Sequence, residues 1–290
     1  MSLDAHTPDR RLNAYRDDLA DIALKGTVAA ARYTTGTPAR IAQPVVALRR
    51  KPGETGGIDT QLLLGEDVAV LDRAEGWAWV KAATDGYVGY LPEEAVAATL
   101  AEPTHVVTAP RSFLYPGPDL RFPVVQALSM GSRVTIAGEA ETRGTRYLLT
   151  DKGHGLIAGH CRSLQAVPET MDYVAVAARF LETPYLWGGR SGFGIDCSGL
   201  VQLALQMTGR TAPRDSDMQA EGLGRPIARE ELRRGDLVFW KGHVGIMEDA
   251  ETLLHANGHT MTVARENFEA AVQRIAWLYA EPTGYRRPVD

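Results

Sequence analysis

Cysteine is scarce in this chain: Cys161 and Cys197 are the two thiols in 290 residues. Two cysteines cannot build the disulfide framework of a small secreted domain. No Cys-x-x-Cys spacing occurs and the histidines are scattered, so no zinc or other metal site is expected, nor any organic cofactor. Long apolar runs are missing too. None approaches the roughly 20 residues that a spanning helix needs, so no membrane partner is expected. A basic excess is absent: the formal charge is -5, whereas a general nucleic-acid binder normally carries a basic patch. The start, Met1-Ser2-Leu3-Asp4-Ala5-His6, is polar and has no apolar segment of the secretory kind, so a cytoplasmic location is expected.

Hydrophobic residues make up 44% of the chain, enough for buried cores, and 29 glycines with 16 prolines suggest many turns and short strands. The length suggests two domains, or three if some are small. Residues 1–40 read as an arm. Leu12, Tyr15, Leu19 and Ile22 recur at helical spacing, which predicts one amphipathic helix ending near Gly26. Thr34-Thr35-Gly36-Thr37-Pro38 reads as a linker.

Residues 41–100 read as short strands around Val45–Leu48, Gln61–Glu66, Val68–Leu71, Trp77–Lys81 and Gly86–Leu91, fitting a small all-β barrel. Residues 101–167 repeat the style more weakly, with candidates at 104–108, 133–137, 146–150 and 153–157. They suggest a second small barrel, a degenerate repeat of the first. From residue 168 to 290 the order changes to helices first and an antiparallel set second, an α+β domain.

The chain is organised around Asp196-Cys197-Ser198-Gly199-Leu200-Val201. Leu200, Leu203, Ala204 and Met207 predict a helix with one buried face, stopping at Gly209. Cys197 then sits in the first turn, where orphan N–H groups and the positive end of the helix dipole favour a thiolate. The alternative is a small buried thiol at a helix start. Downstream, His243 opens one strand and His255 lies near the end of the next. If the loop between them is centred on Asp249, His243 falls directly opposite His255. One imidazole then takes the thiol proton and the other fixes its tautomer, the arrangement that thiol catalysis requires. Cys161 follows His160 on a strand, where adjacent residues face opposite ways, so it reads as structural.

At these segments the chain resembles a known family. Tyr185-Leu186-Trp187-Gly188-Gly189, the Cys197 segment, Gly235-Asp236-Leu237-Val238-Phe239, His243-Val244-Gly245-Ile246 and His255-Ala256 are similar to the NlpC-type papain-like cysteine peptidases of bacterial cell-wall metabolism. The resemblance implies Cys197 as nucleophile, His243 as base and His255 as orienting residue. The whole chain resembles the branch of γ-D-glutamyl-L-diamino-acid endopeptidases with two N-terminal bacterial SH3-like domains. That branch implies cleavage of murein peptides of the form L-Ala-γ-D-Glu-diamino acid, with a free N-terminus; without a secretory segment, the expected substrate is a recycled, soluble muropeptide rather than the intact wall. It also implies substrate contacts from Asp215 and Ser216, from Asp196 and Ser198 beside the nucleophile, from Trp187, and from Tyr87 of the first barrel. Glu54 is a further candidate for the substrate amine. Asp215 alternatively caps the following helix, and Tyr87 alternatively packs in its barrel. Rival readings are a papain-like amidase or acyltransferase, and a wall-peptide binding protein.

Overall fold

The computed structural model describes residues 8–53, 55–98, 101–168 and 170–288. The chain divides into two compact units, Met1–Ala101 and Glu102–Asp290.

In the first unit, strand Asp67–Ala74 pairs with Trp77–Ala82, which pairs with Val88–Pro92. The stretch read as a linker instead supplies a strand, Thr37–Ile41, running antiparallel to the Asp67 strand. Among the described residues its second edge is paired only at Arg40 and Ile41, by Val96–Ala97. Pro38 therefore sits where the strand is an edge, and its missing N–H leaves no ladder bond unmade. A two-stranded sheet, Val45–Leu48 with Thr60–Leu63, completes the module. Val46, Leu48, Leu62, Val80 and Leu91 are buried between the sheets.

Residues 8–34 form no α-helix; a single 3-10 turn spans Ile22–Leu24. Leu19–Asp21 and Arg32–Thr34 form a short parallel pair, and Val88 N–H donates to Arg11 O at 2.7 Å. Ala14 and Leu19 are buried with Leu71, Trp79 and Val88. The apolar spacing was real, but the backbone groups a helix needs are used in turns and pairings with the sheet, and the apolar residues bury there instead.

The second unit opens with a β module whose hydrogen bonds repeat those of the first. Ile41 N–H donates to Glu66 O and Gly65 N–H to Ile41 O; Val107 N–H donates to Ser132 O and Gly131 N–H to Val107 O. Each module ends in a 3-10 turn followed by a short strand, Glu93–Ala95 then Val96–Ala97, and Ala158–His160 then Cys161–Ser163. Neither module makes a closed ladder among the described residues. In the first, the small sheet meets the large one only at the Arg49–Tyr90 bridge. In the second, the strand breaks between Val134 and Ile136, which splits the pairing into a three-stranded and a five-stranded sheet. Two strands of this module, Arg111–Tyr115 and Gln126–Ser129, escape a pattern reading. In the former, Ser112 and Leu114 point inward while Arg111 and Phe113 are exposed, so polarity does not report the face.

The same unit continues into four helices and a six-stranded antiparallel sheet. The helices are α1 (Tyr173–Ala178), α2 (Cys197–Met207), α3 (Ser216–Gly222) and α4 (Phe268–Leu278). From the short edge strand Arg225–Pro226 the order is Gly284–Arg287, Leu237–Trp240, His243–Met247, Thr252–Asn257 and, at the other edge, Thr262–Asn267. Ten of the eleven residues of α2 are buried. A helix apolar on nearly all sides belongs in a core, and α2 packs against α1 and the His243 and Thr252 strands. Met130 and Val106 of the β module enter the same core. Asp236, fully buried, receives Arg287 through both carboxylate oxygens at 2.7 and 2.8 Å, which pins the start of the Leu237 strand.

Candidate active site

Asp196 caps α2. Its Oδ1 accepts from Gly199 N–H at 2.7 Å, and its Oδ2 from Gly188 N–H at 2.9 Å. Arg214, buried to 1% exposure, grips the same carboxylate through Nη1 at 3.0 Å and Nη2 at 2.7 Å. Nη1 also donates to Ser198 Oγ at 3.0 Å. The turn Gly188-Gly189 and the start of α2 are thereby clamped by one ion pair. Gly199 is required by closeness: a Cβ there would stand 2.4 Å from Gly189 O.

Cys197 is buried at this helix start. Backbone N–H groups of Val244 and Ser198 reach its sulfur, which places the thiol beside the residue that follows His243. The expectation of a readily formed thiolate does not hold for the resting protein. Burial first, and the nearby Asp196 carboxylate second, push the thiol up to about 12, against the help of those N–H groups and Arg214. Burial likewise lowers His243 to about 3. The pair rests as thiol and neutral imidazole.

His243 and His255 do meet: His243 Nε2 lies 3.0 Å from His255 Nδ1. They are not directly opposite, as a loop centred on Asp249 would require. Ile246 pairs with Leu254 and Met247 with Leu253, so the hairpin turns one residue later and the rings meet on a diagonal. A shift of two positions along one strand preserves the face, because side chains alternate with period two. His255 is buried; Glu266 Oε2 lies 3.2 Å from its Nε2, and Arg274 holds Glu266 at 2.6 Å.

Asp215 stands at the N-cap position of α3 but its side chain makes no capping hydrogen bond. Asp215 and Ser216 are half-buried. The buried Gln219 ties their loop to the Cys197 helix: its Nε2 donates to Ser198 O at 3.0 Å and to Pro213 O at 2.8 Å. Gln202 Nε2 donates to Ala212 O at 3.2 Å. Trp187 is 70% exposed, next to the clamped glycines. Tyr87 belongs to the core of the first unit. Glu54 lies outside the described residues. Cys161 is half-buried and pushed up to about 12 by burial.

Arg214, Glu266 and Arg274 were missed as site residues. Arg214 was legible as the charged neighbour of Asp215. Glu266 had no signal, since its relation to His255 exists only across a strand pair. Tyr185, within the motif but given no role, interacts with Cys197, Asp196 and Arg214. Among the described residues, no group of three or more His, Cys, Asp or Glu is arranged to hold a metal ion, and no helix is long and apolar enough to cross a membrane. A cavity of about 500 Å³ opens at the other end of the Leu237 strand, around Asp172, Arg234, Asp236 and Arg287, away from these groups.

A buried thiol at a helix start, packed on an antiparallel sheet that carries a hydrogen-bonded histidine pair, defines a cysteine-peptidase domain of papain-like fold. Residues 182–278 match the NlpC/P60 family, which places that part of the chain in it. Residues 48–96 match the bacterial dipeptidyl-peptidase Sh3 domain, so the first β module is SH3-like. The chain is 31% identical over 202 residues to a gamma-D-glutamyl-L-lysine dipeptidyl-peptidase of Bacillus cereus, a match covering 63% of this chain but only 60% of that protein. It is 29% identical over 225 residues to the protein of the same name from Bacillus subtilis, covering 69% and 72%. The crystal structure of an NlpC/P60 family protein from Bacillus cereus superposes with a TM-score of 0.73 over 88% of this chain and all of that one. At 23% identity this likeness bears on the fold alone.

Proposed function

We propose that this protein is a cysteine endopeptidase that hydrolyses the γ-D-glutamyl–L-diamino acid bond of murein peptides bearing a free N-terminal L-Ala. The observation that carries the reading is Cys197 at the start of α2 beside the strand of the His243–His255 pair, with the Asp215-Ser216 loop tied to the same helix turn. The names of the two Bacillus relatives support the choice of bond.

His243 takes the thiol proton, and the thiolate adds to the γ-carbonyl carbon of D-Glu. Backbone N–H groups at the start of α2 hold the oxyanion. The tetrahedral intermediate collapses, and His243 returns the proton to the leaving amine. Water, deprotonated by His243, then cleaves the thioester and restores the thiol. Asp215, with Ser216 beside it, takes the ammonium of L-Ala; Trp187, Asp196 and Ser198 complete the substrate contacts. The repeated hydrogen bonds support reading residues 101–167 as a second SH3-like module. The cytoplasmic, peptide-recycling setting is part of the same proposal, and cell fractionation tests it.

Mass spectrometry of products from L-Ala-γ-D-Glu-diamino acid peptides tests the bond. Acetylating the L-Ala amine removes a charge-assisted contact worth about 2–5 kcal/mol in a desolvated site. Its kcat/KM should then fall by roughly two orders of magnitude or more. Equal cleavage of free and acetylated peptides would remove Asp215 from this role. Cleavage at another bond would favour the amidase or acyltransferase reading.

A further inference from the structure

A neutral imidazole has one N–H and one lone pair. The bond between His243 Nε2 and His255 Nδ1, 3.0 Å long, can therefore run in either direction. The two directions leave opposite chemistry on the remaining nitrogen of His243. If His255 donates, His243 carries its hydrogen on Nδ1 and has no lone pair there for a thiol proton. If His243 donates, Nδ1 is the lone pair. Nothing in the hairpin register chooses between them.

The choice is made at the far end. His255 has a side chain with 0% exposure, and Glu266 Oε2 lies 3.2 Å from its Nε2. The contact is oblique, and Nε2 has no better-aligned partner among the described residues. Glu266 follows two residues after Ala264, which is the register partner of His255, so it stands on the same face of the sheet. Arg274 of α4 donates to both oxygens of Glu266, Nε at 2.9 Å and Nη2 at 2.6 Å. That fork keeps the carboxyl ionised, down at about 2, and an ionised carboxylate only accepts. Nε2 of His255 must then carry the hydrogen, its Nδ1 must accept, and His243 must donate from Nε2.

We propose that Glu266 is a positioning residue of the thiol site, fixing through His255 the tautomer in which His243 presents an unprotonated Nδ1. The inference rests on the reading that Cys197 and His243 carry the chemistry. When the thiol proton reaches Nδ1, His243 becomes an imidazolium, and no proton leaves His255 or Glu266. The groups acting on the two rings are Glu266, Arg274 and His259, with Cys197 beside Val244. Arg274 opposes the charge of Glu266 at both rings, and the carboxylate acts first as the acceptor that faces Nε2 of His255.

The test reads tautomers directly, by long-range 15N–1H NMR of the full chain with 15N-labelled histidine near pH 7.5. The parent should show Nε2–H on both His243 and His255. Glu266→Gln keeps an oxygen that can accept, and should retain this pattern and most activity. Glu266→Leu removes the acceptor. It should show Nδ1–H on a substantial share of both rings, with kcat lowered about tenfold or more and KM little changed. Glu266→Leu with Arg274→Met removes the stranded cation and serves where the single variant does not fold. Parent tautomers in both Leu variants, or Nδ1–H on His255 of the parent, overturn the proposal. Tautomers that shift as described in a protein that hydrolyses no murein peptide uphold it and overturn the functional reading instead.

Discussion

Nη2 of Arg214 stands 2.7 Å from Oδ2 of Asp196, and both side chains are almost entirely shielded from water. Two charges are buried directly beneath the proposed nucleophile. Desolvating such a pair costs several kcal/mol per ion. The bidentate geometry and the Gly188 and Gly199 N–H groups offset that cost. The pair also acts on Cys197 in opposite senses: Asp196 raises the thiol and Arg214 lowers it.

Removing one partner should therefore cost far more than removing both. Arg214→Met leaves Asp196 charged and buried, a loss of about 3–5 kcal/mol. Arg214→Met combined with Asp196→Asn should recover a large part. Urea unfolding measures both. A single variant within about 1 kcal/mol of the parent would show that the pair does not hold the helix start.

Gly199→Ala tests the close approach of the Cys197 turn to the Gly188-Gly189 turn. A Cβ placed 2.4 Å from Gly189 O must displace backbone, at a cost of about 1–3 kcal/mol. The sulfur moves with the turn, so kcat should drop at least tenfold while the folded protein persists at room temperature. Parent-like kcat with parent-like stability would contradict the packing described.

The resting state of the thiol is open to alkylation kinetics. In a Cys161→Ala background, with the Cys197 thiol held up at about 12, the thiolate fraction rises tenfold per pH unit across the neutral range. Iodoacetamide inactivation should climb steadily from pH 6 to 9. A rate already level at pH 5 would mean a thiolate–imidazolium pair instead. Cys197→Ala should abolish turnover without unfolding the protein, whereas Cys161→Ala alone should keep it.

Acid should destabilise the fold through His243. Its folded value is depressed to about 3 from an ordinary 6.5. The unfolded ring thus binds a proton that the folded ring refuses as pH falls between those values. The stability from the neutral ring is full above about pH 6.5 and is lost as pH drops toward 3, with a slope of at most about 1.4 kcal/mol per unit. The stability difference between parent and His243→Gln, followed by urea midpoints from pH 7.5 to 4, should shift against the parent on acidification. A difference independent of pH would overturn the burial argument.

The sequence by itself determined the parts that local chemistry controls. The apolar run to Met207 and the stop at Gly209 define α2 without reference to any distant residue. Alternating Trp77–Lys81 and the runs at Leu237, His243 and Thr252 define strands by the same means. The face shared by His243 and His255 was legible because strand parity survives a two-residue error in register. Tertiary structure decided the rest. It turned residues 8–34 away from a helix, because their backbone groups and apolar side chains found partners on a sheet. It made a strand of Thr37–Ile41, since Pro38 is harmless where no described strand pairs with its edge. It raised the thiol rather than lowering it, because burial outweighs a helix end once water is gone. It also placed Arg214 on Asp196 and Glu266 beside His255, contacts between segments far apart in the chain or across a strand pair. No spacing rule encodes such contacts; only packing fixes which buried charge meets which.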